Sequence, residues 1–386
     1  MKNRIYLDHA ATTPLHPDVL AEMLPYFIES GHNPSSLHAE GRRARAGLDR
    51  ARDRAAEALG VTRKEITFVG SGSEADNQAI LSVARTYRSR GAHIVSTQIE
   101  HHAVLHALEA LRDEGFDVTL LPVDQRGAID PAAFAAALRE DTVLASVMYA
   151  NNEIGVVQPI AELAAIARER GVIFHTDAVQ GVGLIDVRPR ELGVDLLSLS
   201  GHKFYGPKGV GILYVRDGLV LPPLVHGGGQ EFGRRSGTEN VAGIVGLAAA
   251  LERAVAGSRE RAPRIAALRD RLESGIRARA GDVRINGANA PRLPNNSNVS
   301  FAGIDSESLL MRFDLEGIAV SAGSACTSGA LEPSHVIAAL SADPRWHQGV
   351  IRFSLGEATT EEEIDRVLEL VPSMMAELRG EHRDRI

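Results

Sequence analysis

The chain has 386 residues, 44% hydrophobic and 24% charged, enough for a large α/β domain with a smaller appendage. A net charge of −8 argues against a general binder of nucleic acid or of an anionic membrane. No apolar run reaches the ~18 residues of a membrane span, the N-terminus has no signal-peptide core, and the one cysteine, Cys326, excludes an internal disulfide and fits a reducing cytoplasm.

Tyr6 to Pro14 reads as a short strand followed by a helix entry, with Thr12 and Thr13 as caps before Pro14. An Ala/Arg-rich helix over 43–59 ends at Gly60. From residue 66 an alternation begins that runs to residue 215. Strand-like runs occupy 66–69, 94–97, 118–122, 143–149, 172–175, 196–199 and 210–215; helix-like runs occupy 74–89, 103–114, 131–139 and 160–170. The pattern predicts a seven-stranded, mostly parallel sheet with helices on both faces. A glycine-rich stretch, Gly227-Gly228-Gly229 through Arg234-Arg235-Ser236-Gly237-Thr238, precedes helices over 239–255 and 259–279. The remainder, 283–386, reads as a smaller α+β unit with strands over 297–301, 319–321 and 350–354. Its last helix opens on a capping box, Thr360 to Glu363, and Pro372 should kink or divide it.

The residues just past each strand carry the chemistry. The first strand leads to Gly70-Ser71-Gly72-Ser73, the second to Glu100-His101-His102, the fourth to Asn151-Asn152-Glu153, the fifth to Asp177 and Gln180, and the sixth to Ser200, His202 and Lys203. Any one of these fits a solvated loop, but five on one sheet edge point to a shared pocket. Backbone N–H groups and the Ser73 hydroxyl at a helix start suit a phosphate. Asp177 at the end of a buried strand needs a cationic partner, or else caps the next helix. His102 and His106 have the i, i+4 spacing of a zinc pair but no convincing third ligand.

Two residues stand out by type. Only four of the 42 basic residues are lysine: Lys2, Lys64, Lys203 and Lys208. Arginine stays protonated and forms no imine, so a lysine kept at a strand's carboxyl end suits a Schiff-base amine. The loop after it is too short for a crossover helix, so the next strand should return antiparallel. Cys326 lies among small residues only, Ser321 to Ala330, with no large apolar neighbour to bury it, and reads as a reactive thiol.

The runs Tyr6-Leu7-Asp8-His9-Ala10-Ala11-Thr12-Thr13-Pro14, Asn151-Asn152-Glu153-Ile154-Gly155, Ser200-Gly201-His202-Lys203-Phe204-Tyr205-Gly206-Pro207-Lys208-Gly209, Ser324-Ala325-Cys326-Thr327-Ser328 and Ile351-Arg352-Phe353-Ser354-Leu355-Gly356 resemble the cysteine desulfurases. These are pyridoxal 5′-phosphate enzymes of the class V aminotransferase group and fold type I, and the cysteine loop resembles their iron–sulfur-cluster and nitrogen-fixation branch. The resemblance implies a large cofactor-binding domain over 15–257 and a small domain of 1–14 and 258–386 that carries the cysteine loop. It implies that Lys203 forms the Schiff base, that His101 stacks on the pyridine ring and handles protons, and that Asp177 pairs with the ring nitrogen. Gln180 and Asn152 would contact the ring-oxygen side, and Gly72, Ser73, Ser200 and His202 the phosphate. Thr238 would reach the phosphate across a homodimer interface. Arg352 would clamp the carboxylate of L-cysteine, helped by Asn33 or Asn152. Cys326 would take the sulfur as a persulfide, leave L-alanine, and pass sulfur to an iron–sulfur scaffold or a tRNA-thiolation enzyme. No stable metal is implied, beyond an iron–sulfur cluster that Cys326 would transiently share with a scaffold. The rival within the group is a selenocysteine lyase or another class V enzyme. A cytoplasmic homodimer that binds neither nucleic acid nor membrane is the expectation.

Overall fold

The computed structural model describes residues 4–323 and 334–380. The chain enters through β1 (Ile5–Tyr6), α1 (Pro17–Ile28) and α2 (Ala39–Leu59). The alternating part comes next: β2 (Ile66–Val69), α3 (Gly72–Thr86), β3 (His93–Thr97), α4 (His102–Asp113), β4 (Asp117–Leu121), α5 (Pro131–Ala137), β5 (Thr142–Ser146), α6 (Ile160–Glu169), β6 (Ile173–Asp177), α7 (Pro189–Leu192), β7 (Leu196–Ser200) and β8 (Gly211–Val215). Two long helices, α8 (Val241–Ala256) and α9 (Ser258–Arg279), lead out of it. The last part holds β9 (Val283–Asn286), β10 (Asn296–Phe301), α10 (Ser306–Leu315), β11 (Ile318–Ala319), α11 (His335–Leu340), β12 (Val350–Ser354) and α12 (Glu361–Leu378).

Eight strands come from the first 215 residues, and seven of them form one sheet in the order β2-β8-β7-β6-β5-β3-β4. Pairing is parallel from β7 to β4, whereas β8 runs antiparallel to both β7 and β2. The antiparallel return after Lys203 is therefore as expected from the short loop. Every residue of β2, β3, β5, β6, β7 and β8 is buried, because helices cover both faces. One apolar cluster (Phe134, Phe174, Leu197, Leu247) fills one face, and another (Ile80, Leu108, Ile173, Leu213) the other. With both faces dry, polar side chains of these strands have only the strand ends in which to meet solvent or a ligand.

The second sheet is the antiparallel β12-β10-β9, packed under α9 and α12 around Leu272, Phe301, Phe313 and Phe353. Residues 5 and 6 pair in parallel with 318 and 319, so the N-terminus is stitched to this sheet's neighbourhood. Among the described residues no single helix is long and apolar enough to cross a membrane.

Local departures from expectation have clear causes. The first helix starts at Pro17 with His16 as its cap, not at Thr12-Thr13, because Thr13 is used elsewhere: its hydroxyl donates to His202 O (2.9 Å) and accepts from Tyr205 N (2.6 Å). The capping box at Thr360–Glu363 forms, but Pro372 does not divide α12. That helix buries Ile364, Val367, Leu368, Val371 and Met375 along one stripe, and this packing outweighs the hydrogen bond that proline removes. Strand β9 has no signature in the sequence, because its four residues carry no run of apolar residues.

Candidate active site

Lys203 closes a 3-10 turn (Gly201–Lys203) at the carboxyl end of β7. A side chain at Gly201 would put its Cβ 2.9 Å from Pro207 O, so the turn folds tightly only with glycine there. Tyr205 takes a left-handed φ of 65°, held by Thr13. The Lys203 amine thus points across the sheet edge and donates to Ala10 O (2.6 Å) and Ala11 O (2.9 Å).

A cavity of about 250 Å³ opens there. Lys203, His202, Ser200, Asp177 and Gln180 line it from β6 and β7; Ser71, Gly72, Ser73 and Asp76 from α3; and His101, Asn152 and Arg352 from elsewhere. Ten of the residues expected from sequence therefore share one cavity. Asn33 and Thr238 do not line it: the Asn33 side chain accepts from Ser35 N (2.9 Å) near the start of α2, and Thr238 is exposed. Cys326 lies outside the described residues.

The α3 end of the cavity presents a helix start. Ser71 caps the helix by accepting from Glu74 N (3.1 Å), and Glu74 in turn pairs with Arg235 (2.9 Å). A Cβ on Gly72 would sit 2.9 Å from Val179 Cγ2 and 3.3 Å from Ser200 Cβ, so glycine alone leaves the first N–H groups open. His202 reaches Thr12 Oγ1 (3.1 Å), and burial, with Lys203 and Lys208, pulls its pKa down to about 4.

The β6 end carries a carboxyl. Asp177 accepts from Val179 N at 2.9 Å. Burial pushes its carboxyl up, while His101, that N–H and Lys203 pull it down. His101 accepts at Nδ1 from Ala103 N (3.1 Å), which leaves the proton on Nε2, and burial lowers its pKa. Two further buried carboxyls, Asp76 and Glu100, lie within reach of the Asp177 charge. The sequence reading assigns neither a role here, although Asp76 sits one helical turn after Gly72, on the face of α3 that must meet the sheet.

Arg352, 2% exposed, donates from Nη1 to Asn152 O (2.9 Å) and from Nη2 to Asp8 Oδ1 (2.9 Å), and its Nε finds no partner among the described residues. Next to it Ser321 pairs with the Arg352 backbone (3.2 and 2.6 Å). Glu153 stands at both flanks of the segment that holds Cys326. Ser334 donates to its Oε2 (2.5 Å), and a Cβ on Gly323 would come within 2.9 Å of the same oxygen. His335 Nε2 lies 3.0 Å from Glu100 O. The rings of His106 and His335 stand 5.2 and 5.0 Å from that of His102, yet among the described residues no group of three could hold a metal.

Known proteins resemble this chain along nearly its whole length. The model of the aminotransferase class-V family matches residues 5–367. A relative from Dictyoglomus turgidum named "Cysteine desulfurase IscS" is 48% identical over 98% of this chain and 96% of its own length. A protein of the same name from Methanosarcina thermophila is 48% identical over 97% of this chain and 93% of its own. Among solved structures, one titled "NIFS-LIKE PROTEIN" has a TM-score of 0.92 and 40% identity over 97% of this chain and all of its own. Another, "SspA in complex with cysteine", has a TM-score of 0.81 and 35% identity, covering 92% of this chain and all of its own.

Proposed function

We propose that this chain, which belongs to the aminotransferase class-V family and is a cysteine desulfurase, holds pyridoxal 5′-phosphate in the cavity at the sheet edge and takes sulfur from L-cysteine there. The observation that carries this is the placing of the Lys203 amine between a glycine-opened helix start and a buried carboxyl, Asp177. The residues fit the cofactor: backbone N–H groups of α3, with Ser73, Ser200 and His202, for its phosphate; Asp177 for a protonated ring nitrogen; His101 for the ring face; and Gln180 and Asn152 for the ring-oxygen side. Bound there, the group supplies an electron sink that stabilises negative charge on the substrate's α-carbon.

The chain's own residues do the rest. Lys203 would hold the cofactor, and its amine, once released by the substrate, would be placed to take and return the α-proton. Arg352 orients the substrate carboxylate through its Nε, unpartnered among the described residues, and the adjacent Nη2, with Asn152 beside it. His101 holds a proton at Nε2 and carries it between substrate and solvent. The Cys326 thiolate attacks the substrate sulfur: a sulfur–sulfur bond forms, the carbon–sulfur bond breaks, and its electron pair stays with the carbon skeleton. Protonation releases L-alanine, and Cys326 keeps the sulfur as a persulfide for an acceptor, an iron–sulfur scaffold or a tRNA-thiolation enzyme. The flanks of its segment, held at Arg352 and Glu153, support delivery into this cavity.

A homodimer completes the reading. Thr238, exposed on its own chain, would reach the partner's phosphate, and Leu20, Leu24, Phe27 and Ile28 of α1 present exposed apolar surface for association. The large unit then spans 15–257, and 1–14 with 258–386 form the small one. The test is incubation with L-cysteine and a reductant, with alanine and sulfide assayed together. Equal yields support the proposal. In Cys326→Ala sulfide release should vanish while the cofactor stays bound; sustained release by that variant refutes the role of the thiol.

A further inference from the structure

Asp76 lies on α3 one turn after Gly72, 1% exposed, and lines the same cavity as Asp177. Its Oδ1 has no hydrogen-bond partner among the described residues. The nearest base, His175 Nε2, is 3.6 Å away, too far for a hydrogen bond. That imidazole is held between Ser146 (2.9 Å) and Ser198 (3.0 Å), and burial pulls its pKa down to about 3, so it supplies no positive charge.

The other groups facing Asp76 sharpen the imbalance. From β6 come His175 and Asp177; from the end of β3, Glu100 and His101; from the end of β7, Lys203; and the Tyr214 hydroxyl of β8 turns to Glu65 instead. Glu100 is a third fully buried carboxyl, bonded to Thr97 (2.7 Å) and Met148 N (3.0 Å), and burial pushes it up to about 8. The His101 ring and Lys203 support Asp177, which also holds the Val179 N–H. Among the described residues Asp76 draws support from the Ser198 hydroxyl, and burial together with the Asp177 charge pushes its carboxyl well up. Two desolvated carboxyls in one pocket do not both ionise, and the proton stays on the one with less support.

We propose that Asp76 is a positioning residue that carries the proton of a two-carboxyl pair, leaving Asp177 as the single negative charge that meets the cofactor's ring nitrogen. This role rests on the cofactor assignment above. It also explains how an acid can sit one turn from the helix start that takes the phosphate: neutral, it does not oppose the incoming dianion.

Linkage sets the sign of the effect. An acid that keeps its proton when folded but loses it when unfolded lowers stability progressively as pH rises above about 4. Asparagine, neutral at every pH, removes that loss. The first experiment compares thermal midpoints of the cofactor-free protein with those of Asp76→Asn, and of Asp76→Ser should the amide fold poorly, from about pH 5 to about pH 9. The variant is expected to gain on the parent steadily as pH rises. An offset that stays constant across the range, as loss of a purely structural contact would give, overturns the proposal. The second experiment titrates pyridoxal 5′-phosphate by its visible band over the same range. Binding to the parent should weaken as rising pH draws the proton from Asp76, and binding to Asp76→Asn should not; identical pH profiles overturn the proposal. If neither protein develops a visible band, the cofactor assignment fails, and the cofactor-free midpoints still judge the state of Asp76.

Discussion

Replacing Arg352 by lysine tests whether the buried guanidinium reads the substrate carboxylate. Arg352 already spends Nη1 on Asn152 O and one Nη2 hydrogen on Asp8, and its Nε is unpartnered among the described residues. The Nε–Nη2 edge is the planar fork a carboxylate matches with two parallel hydrogen bonds. A lysine keeps the positive charge, so Asp8 is not left alone, but one ammonium cannot hold Asp8 and form a fork together. One charge-assisted hydrogen bond is then lost, about 1.5–3 kcal/mol, which is about a 10- to 150-fold loss in kcat/KM for L-cysteine. The carboxylate is gripped equally before and during reaction, so the loss should fall on KM with kcat changed much less. The assay is alanine formation at varied L-cysteine, run beside sulfide release from cysteamine, which has the thiol and amine but no carboxylate. The variant should be impaired on cysteine and close to the parent on cysteamine. A KM for cysteine within about twofold of the parent, or equal losses on both thiols, would refute the reasoning.

Three further outcomes are expected. Lys203→Ala should fold and bind pyridoxal 5′-phosphate only reversibly, with the cofactor washed out by dialysis and alanine formation lost; a variant that retains covalent cofactor after borohydride reduction contradicts the assignment. Arg52→Met should cost about 3–5 kcal/mol in urea unfolding, because it strands the buried Glu231 that Arg52 holds at 2.6 Å between the rings of Phe68 and Phe232, and adding Glu231→Gln should recover part of that loss. His175, its pKa pulled from the usual 6.5 down to about 3 by burial, contributes stability that is intact above about 6.5 and falls away as pH drops toward 3. His175→Asn should therefore show a shallower acid limb in thermal midpoints, a difference of the order of a few kcal/mol at its fullest, and parallel limbs would show that the ring is not the group responsible.

Much of this architecture is written locally. Short, mainly apolar strands of four or five residues announce a sheet covered on both faces, and the residues just beyond them must then gather at one edge. That rule finds Lys203, Asp177, His101 and the Gly72 helix start without coordinates. It cannot find what depends on partners distant in the chain. Thr13 looks like a helix cap until His202 and Tyr205, 189 and 192 residues away, claim its hydroxyl. The parallel bridge of 5–6 with 318–319 has too few residues for any periodicity. Asp76 sits in a helix whose charged residues would ordinarily face water, and its inward turn shows only once α3 is laid across β6 and β7.

The distribution of unpaired buried groups ties these observations together. A buried polar atom without a hydrogen bond costs about 1–3 kcal/mol, so a fold keeps few of them and scatters them unless something else completes their bonding. Here Asp76 Oδ1, Glu100 Oε2, Glu153 Oε1 and Arg352 Nε are four of the twelve such atoms among the described residues. Asp76 and Arg352 line the cavity, Glu100 immediately precedes His101 in its wall, and Glu153 adjoins Asn152 in it. An acid and a guanidinium with open bonds on the wall of one 250 Å³ space, with two more such acids next in sequence to wall residues, are poorly explained by packing, which would have favoured apolar residues of the same size. They are well explained by a site whose bonding is finished by what enters it: a carboxylate for the arginine, a cationic ring nitrogen for Asp177 above a neutral Asp76, and a phosphate at the helix start. The stability given up at this edge is what leaves those groups open to react.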